Sequence, residues 1–557
     1  MGNCLTLPSD STDLSKKIKV LPIDTMFKLP SPLPTWPQGE GFASGSINLG
    51  GLEVCQISTF TKVWATHEGG PDDLGATFFE PSSIPTGFFM LGCYSQPNNK
   101  PLFGWVLAGK DDGNGPSGGV LKMPVDYTLV WSSELMKIKQ DGNGYIWLPT
   151  PPDGYRAVGH VVTSSPEKPP LGKIRCVHSE LTDQYEIDKW IWGADKISIT
   201  TGFDVYSMRP TTRGTQALGI CIGTFIAQVG GVSSPLLLAC LRNGNSNSSS
   251  MPNVSQIEAI VQTYSPRIYF HPDEKYLPSS VSWFFNNGAL LYKKGNELEP
   301  VSIDPTGSNL PLGGSNDGNY WLDLPVDEGG KERVKKGDLP SSGAYVHVKP
   351  VLGTTFTDIA MWVFYPFNGP SRAKVGFINV PLGKIGEHVG DWEHVTLRVS
   401  NFTGELWAVY FSEHSSGRWV NASELEFEGG NKVVSYASLH GHAFYSKPGL
   451  VLQGNTEVGI RNDAAKSKMV MDTGVRFVVV SAEYLGTVVE PLWLNYARKW
   501  GPKISYDRMA EIKVEKLLPS KLKSTFEHFV NSLPNEVLGE EGPTGPKMKN
   551  NWNGDEV

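Results

Sequence analysis

Short runs of alternating hydrophobic and polar residues, separated by glycine and proline, make up most of the chain. Clear examples are residues 52–64 and 88–108. A period of two is typical of half-buried strands, and glycine and proline mark the turns between them. Apolar residues at helical spacing occur at 257–263, 507–518 and 520–533. The pattern predicts a mainly β protein with helices near its C-terminal end.

A threefold repeat occupies the first half of the chain. Each unit has a tryptophan at the end of an apolar run and a glycine 27 or 28 positions later: Trp64 and Gly92, Trp131 and Gly159, Trp192 and Gly219. Three β-rich units of this kind predict three small sheets around a pseudo-threefold axis, a β-prism-like domain. A purely structural duplication explains the glycines equally well.

Changes in pattern and composition predict five segments. They are an N-terminal segment at 1–35, the β-prism-like domain at 36–240, a polar linker at 241–256, a β-sandwich at 257–505 and a helical extension with a tail at 506–557. The linker is rich in asparagine, serine and glycine, as flexible connections are.

Composition indicates which classes of function and which cellular compartment fit the chain. The net charge is −8 and basic residues form no long run, so we expect no nucleic-acid partner. The six cysteines are dispersed, all in the first half, which fits a reducing compartment. No apolar run reaches about 18 residues, so no transmembrane helix is predicted.

The first six residues carry an acylation pattern. Gly2 follows the initiator methionine and Thr6 lies four positions later, which is the pattern for N-myristoylation. One myristoyl chain binds membranes only weakly, and Cys4 is placed to carry a second, palmitoyl, chain. We expect the protein on the cytosolic face of the plasma membrane or an endomembrane, with membrane lipids as partners. The alternative to acylation is an ordinary, disordered N-terminal segment.

Candidate chemistry concentrates at residues 388–397 (HVGDWEHVTL). In a strand, Asp391 and Glu393 share a face and His394 lies on the other, while His388 enters from a glycine-bounded loop. Two carboxylates side by side repel, so a cation, a proton or a basic side chain should neutralise them. A divalent metal held by His388, Asp391 and Glu393 fits, with Mg²⁺, Ca²⁺, Mn²⁺ and Zn²⁺ all open. The alternative is an exposed acidic strand end.

Further histidines lie downstream and predict one site built from several strands. The candidates that would line it are His394, His414, His440 and His442. Three of them (His394, His414 and His442) could act as acid or base in a metal-dependent hydrolase, although no recognised catalytic signature is present. A scaffold with a structural cluster is the third possibility.

Four motifs are similar to those of a plant family named after vacuolar protein sorting protein sixty-two. They are LPTWPQGEG at 33–41, IYFHPDE at 268–274, GDWEH at 390–394 and GEEGPTGPK at 539–547. The resemblance covers nearly the whole chain. It implies vacuolar or endomembrane trafficking, with trafficking proteins as possible partners.

The second half also resembles the necrosis- and ethylene-inducing-peptide-like cytolysins, single β-sandwiches that hold a divalent cation. Their heptapeptide GHRHDWE corresponds to EHVGDWE at 387–393, which keeps His388, Asp391 and Glu393. The resemblance implies a further oxygen ligand after the aromatic strand 362–367, where this chain has Asn368. An amide oxygen can coordinate but brings no charge. The changes at Glu387, Val389 and Gly390 prevent transfer of headgroup specificity.

The acylation pattern yields the first prediction. Gly2→Ala removes the myristoyl acceptor and should move the protein from the membrane fraction to the soluble fraction of cells. Fractionation and immunoblotting measure the shift, with Thr12→Ala as a control outside the motif. If Gly2→Ala stays on membranes, acylation is not what holds the protein there.

Overall fold

The computed structural model describes residues 20–115, 119–193, 202–229, 238–245, 250–414, 416–454, 458–505, 520–532, 538 and 540–556. The strands of the first half are β1 Ser46–Asn48, β2 Leu52–Ile57, β3 Phe60–Ala65, β4 Ala76–Pro81, β5 Phe89–Met90, β6 Tyr94–Pro97, β7 Val106–Asp111, β8 Leu121–Lys122, β9 Asp126–Ser132, β10 Tyr145–Thr150, β11 Tyr155–Arg156, β12 Val161–Thr163, β13 Cys176–His178, β14 Thr182–Asp183, β15 Tyr185–Gly193, β16 Phe203–Pro210, β17 Gly219–Ile220, β18 Phe225–Val229 and β19 Cys240–Arg242.

The second half mixes strands with short helices. Its elements are α1 Val254–Tyr264, β20 Arg267–Tyr269, α2 Val281–Asn286, β21 Leu290–Lys293, β22 Val301–Ser302, β23 Tyr320–Asp323, α3 Glu328–Lys335, β24 Ala344–Val351, β25 Phe356–Asn368, β26 Arg372–Val375, β27 Ile378–Pro381, β28 His388–Ser400, β29 Leu406–Glu413, β30 Ser416–Asn421, β31 Phe427–Glu428, β32 Lys432–Ala437, β33 Phe444–Tyr445, β34 Gly449–Gly454, β35 Val458–Ala464, β36 Val470–Asp472, β37 Phe477–Val479 and α4 Ser520–Ser532. The prediction of a mainly β fold with C-terminal helical structure is confirmed.

Each repeat unit of the first half builds a pair of antiparallel sheets. The strand orders are β1-β2-β7-β5 with β3-β4-β6, β12-β10-β9 with β11-β13-β8, and β15-β16-β18 with β14-β19-β17. The repeat tryptophans Trp64, Trp131 and Trp192 touch one another, with ring centroids 5.6–6.0 Å apart. Aromatic contacts at this distance favour a common core, so the three units meet around these rings.

The repeat glycines form a second contact between units, and the structure corrects one of them. A Cβ atom on Gly92 would lie 2.8 Å from the Cα of Gly159 and from the Cγ2 of Thr224. The third unit therefore contributes Thr224 to this contact, and Gly219 begins strand β17. A Cβ on Gly219 would meet Pro210 and Asp183, so this glycine does not take part in the contact between Gly92 and Gly159.

A six-stranded sheet, β30-β29-β28-β25-β24-β37, forms the centre of the second half. β25 and β28 have 13 residues each and pair antiparallel in continuous register from Phe356–Ser400 to Asn368–His388. Both faces are covered, which explains why β25 is hydrophobic almost without interruption. One face packs against α1 and β20, and the other packs against α2 and Trp500.

α1 shows how local sequence sets an element. The Asn253 side chain accepts from the backbone N–H of Gln256, and the Gln256 side chain accepts from the N–H of Asn253, a capping box. Pro266 follows the C-terminal end, where a helix cannot continue. The predicted linker 241–256 has secondary structure at both ends, because β19 extends to Arg242 and α1 begins at Val254.

Other predicted segments fall partly outside the described residues. α4 coincides with the helix predicted at 520–533, whereas the helix predicted at 507–518 lies outside them, as do Gly2 and Cys4. Among the residues described, no helix combines the length and apolar character needed to cross a membrane.

The glycine contact between the repeat units gives a stability prediction. Gly159→Ala places a methyl group 2.8 Å from Thr224 and 2.9 Å from the Gly92 backbone, so the free energy of unfolding should fall by about 1–3 kcal/mol. Gly172→Ala is the matched control, because its Cβ meets no atom within 4 Å. Thermal and urea denaturation compare the two, and equal stabilities would contradict the close contact.

Candidate cation site

Strands β25 and β28 bring the predicted ligands together. Asp391 lies opposite Tyr365, and Asn368 lies opposite His388 at the end of the pair. Because side chains alternate, Asp391 and Glu393 project from the face that carries the apolar core further along β28. The two carboxylates thus stand at the polar end of a buried face.

Gly390 allows His388 to join them. Strict alternation would place His388 on the same face as Trp392, but Gly390 has a φ of 68°, in the left-handed region that favours glycine. A Cβ at Gly390 would also lie 2.7 Å from the carbonyl oxygen of Trp500. The His388 ring turns so that Nδ1 is 2.8 Å from the Gly390 carbonyl oxygen.

These side chains line one small, partly enclosed cavity of about 30 Å³, which we call the cation cavity. Its polar lining is Asn368, Ser371, His388, Asp391, Glu393, His414, Arg461 and Asn462. All four predicted ligands are at least nine-tenths buried. A cavity of this size accommodates one water molecule or one ion.

His442 is hydrogen-bonded to Asp391 and fixes the position of its carboxylate. Its Nδ1 is 2.9 Å from Oδ2 of Asp391, its Nε2 is 2.9 Å from the carbonyl oxygen of Tyr276, and its ring stacks on Tyr365. Burial by itself would raise the pKa of Asp391, but the His442 hydrogen bond and the charges of His388 and His442 lower it on balance. The Asp391 carboxylate therefore stays ionised at neutral pH although it is buried.

Two further oxygens are oriented by hydrogen bonds. The hydroxyl of Ser412 donates to Oε2 of Glu393. The Asn368 amide donates to the carbonyl oxygens of Gly386 at 2.7 Å and Gly369 at 3.1 Å. Because both amide hydrogens are engaged, Oδ1 of Asn368 is the atom that can accept a contact from an ion.

The donor types suit a divalent cation that prefers oxygen with one imidazole. Within the described ranges, however, no three His, Cys, Asp or Glu side chains form a group arranged to hold a metal ion. Coordination here would use the amide oxygen of Asn368 beside the carboxylates. The identity of a cation, whether Mg²⁺, Ca²⁺, Mn²⁺ or Zn²⁺, remains a prediction.

The structure separates the other candidate histidines. His414 lines the cation cavity, with Nε2 at 2.8 Å from Oδ1 of Asn462. His440 does not, because its backbone adopts a φ of 70° and its Nδ1 turns to the carbonyl oxygen of Pro370. His394 also lies away from the cavity, on the opposite face of β28, where it stacks on Trp362. The predicted lining is therefore corrected: of the four histidines, His414 lines the cavity, His442 contacts Asp391 without lining it, and His394 and His440 lie elsewhere.

Several residues at or near the site were not predicted from the sequence. Ser371, Ser412 and Asn462 carried no local signal. Ser371 lines the cavity from the loop before β26 and Asn462 lines it from β35, whereas Ser412 of β29 hydrogen-bonds Glu393. Glu274 of the 268–274 motif is buried and accepts from the backbone N–H groups of Tyr276 and His440. The motif thus positions the loop whose Tyr276 carbonyl holds His442.

On the opposite face of the sheet, a buried ionic network holds the segment 551–556. Oε1 of Glu556 lies 3.3 Å from Nζ of Lys349, and Oε2 lies 3.1 Å from Nε2 of His394. The preceding residue, Asp555, pairs with Arg398 of β28 and with Arg213 of the first half. This segment therefore ties the repeat domain to the central sheet.

The fold and the site define a mainly β protein with a buried cavity lined by carboxylates and histidines. Comparison with known families narrows this class further. A family model described as "Vacuolar protein sorting-associated protein 62" matches residues 23–556. The chain belongs to this family.

Two Saccharomyces cerevisiae (strain ATCC 204508 / S288c) proteins are similar to part of the chain. The putative vacuolar protein sorting-associated protein TDA6 is 28% identical over 203 residues, 32% of this chain and 40% of that protein. Vacuolar protein sorting-associated protein 62 is 25% identical over 215 residues, 35% of this chain and 43% of that protein. The chain thus spans less than half the length of these relatives.

Solved structures give weaker similarities. GNIP1Aa from Chromobacterium piscinae has 20% identity and a TM-score of 0.29, over 39% of this chain and 40% of that chain. NLPPya in complex with glucosamine has 12% identity and a TM-score of 0.20, over 41% and 74%. At these TM-scores, neither bears on the site.

The buried ionic network gives a prediction about stability and pH. Glu556→Gln leaves Lys349 buried without its anion and should cost about 3–5 kcal/mol of unfolding free energy at neutral pH. Burial raises the pKa of Glu556, but His394 and Lys349 lower it well below its usual value. The stabilisation is therefore present above the unfolded carboxyl pKa of about 4.3 and shrinks below it.

Urea denaturation at several pH values measures this difference, with the exposed Glu134→Gln as the matched control. A Glu556→Gln protein as stable as the control at neutral pH would show that the pair contributes nothing.

Proposed function

We propose that the protein works at an endomembrane surface in vacuolar protein sorting and binds an anionic headgroup through a divalent cation in the cation cavity. The trafficking role is supported by family membership and by the names of the two yeast relatives. The observation that carries the binding role is the convergence of Asn368, His388, Asp391 and Glu393 on one cavity.

Cation bridging is the mechanism that we propose for headgroup binding. The carboxylates of Asp391 and Glu393 would balance the charge of a divalent cation, and phosphate or carboxylate oxygens of a ligand would fill the coordination positions on its open side. Oδ2 of Asp391 is already hydrogen-bonded to Nδ1 of His442, which leaves Oδ1 for a cation. Acyl chains at Gly2 and Cys4 would prolong residence on the membrane, because each chain adds hydrophobic binding energy.

A metal-dependent hydrolase requires an acid or base beside the cation. Of the three candidates, His442 is enclosed and hydrogen-bonded through both ring nitrogens, and His394 lies on the other face. Only His414 of these three lines the cation cavity. Headgroup binding is therefore the function favoured by this geometry, and turnover of a phosphoester panel that disappears in Asp391→Asn would favour the hydrolase.

The double variant Asp391→Asn, Glu393→Gln tests the cation cavity with little change in volume. We expect the purified wild type to retain a stoichiometric divalent metal in elemental analysis, and the variant to lose it. We also expect chelator to reduce wild-type binding to anionic liposomes to the level of the variant. Asp273→Asn is the control, since this exposed carboxylate lies outside the cavity.

Equal metal content in wild type and variant would contradict the cation site. Retained metal with chelator-insensitive liposome binding would contradict bridging but keep the metal, and circular dichroism checks that the variant is folded.

A further inference from the structure

A second cavity of about 430 Å³, which we call the basic cleft, shares no lining residue with the cation cavity. The side chains that give it its chemistry are Lys294, Tyr320, Trp321, Lys499, Lys503 and Glu541. Its volume lies within the range of small-molecule sites. The open cleft admits a ligand of about one sugar ring with its substituents.

Three parts of the chain build the basic cleft. The antiparallel pair β21–β23 supplies one wall, and Trp321 of β23 forms a parallel bridge with Lys499. The opposite wall is the segment after Lys499, which pairs through Lys503 with Glu541. Gly501 and Gly542 pack backbone to backbone between them, since a Cβ on Gly542 would lie 2.4 Å from the Cα of Gly501. The cleft is thus defined by strand pairing and close backbone packing.

The cleft carries an excess of positive charge. The carboxylate of Glu541 is shared between Lys499 at 3.1 Å and Lys503 at 3.4 Å. Among the described residues that line the cleft, the carboxylate is Glu541, and it pairs with Lys499 and Lys503 and not with Lys294. Three lysines therefore face one carboxylate, and an anion entering the cleft gains charge-assisted hydrogen bonds.

An aromatic surface lies beside the lysines. Trp321 stacks on Tyr292 with ring centroids 5.7 Å apart, which fixes the indole orientation, and Tyr320 adjoins it in the cleft. The negative face of an aromatic ring attracts the C–H groups of a sugar or cyclic polyol. Lysine ammonium groups next to such a surface suit phosphate groups on that ring.

We propose that the basic cleft binds a phosphorylated sugar or cyclic polyol, carried either by a lipid headgroup or by a soluble molecule. The proposal does not depend on the cation cavity. It assigns the cleft a ligand through lysine charge and ring stacking, with no metal in the contact.

Isothermal titration calorimetry of the full chain with inositol trisphosphate tests the proposal. Lys294→Gln should weaken binding about tenfold, since one charged contact is lost. Glu541→Gln should strengthen binding, because it frees Lys499 and Lys503 for the ligand. Lys447→Gln, an exposed lysine outside the cleft, is the control. A purely structural role of Glu541 predicts no gain in affinity.

Vesicles of phosphatidylcholine with and without phosphatidylinositol phosphate distinguish the two sources. Binding to the phosphoinositide vesicles that soluble inositol trisphosphate displaces supports a lipid headgroup, and binding of the soluble probe alone supports a soluble ligand.

Three results would overturn the proposal: no saturable binding of either probe, inorganic phosphate binding as tightly as inositol trisphosphate, or unchanged affinity in Lys294→Gln. The Asp391→Asn, Glu393→Gln variant should bind inositol trisphosphate as the wild type does, so failure at one cavity is separable from failure at the other.

Discussion

The continuous pairing of β25 with β28 is the constraint on which the second half of the molecule depends. Thirteen residues of each strand stay in register at the centre of a sheet that is covered on both faces. A one-residue slip would exchange the two faces of β28 and bury the wrong side chains. The same register places Asp391 and Glu393 together at one end of the apolar face, and His394 on the other side.

Burial of this strand pair obliges every charge along it to have a partner. Asp391 is paired with His442, and Asp358 of β25 accepts hydrogen bonds from Nε and Nη2 of Arg398. Glu556 takes Lys349 and His394 on the far face. Removing one partner leaves a buried charge, which is far more costly than losing an exposed pair. The cation cavity differs because it has room for an additional ion beside its carboxylates.

The two halves are joined by charge and by aromatic packing. Asp555 bridges Arg213 in the repeat domain and Arg398 in the central sheet. Phe103 stacks on Trp407 of β29 with centroids 4.3 Å apart. The segment 551–556 at the end of the second half therefore joins the central sheet to the repeat domain.

The sequence by itself determined the features that depend on near neighbours. Period-two alternation indicated the mainly β fold, and strand geometry placed Asp391 and Glu393 on one face. The helix predicted at 257–263 is present as α1, although its capping box starts it at Val254. The tryptophan repeat also predicted three related units. The third unit differs at the contact between the units, where Thr224 packs against Gly92 and Gly159.

Only the tertiary structure decided the partners. His442 meets Asp391 across 51 positions, and Glu556 meets His394 across 162. The sequence pattern suggested that several histidines would gather, yet it could not tell His414 in the cavity from His394 and His440 outside it. Periodicity reports which face of its own strand a side chain occupies, whereas the residue opposite that face depends on long-range strand pairing and loop geometry.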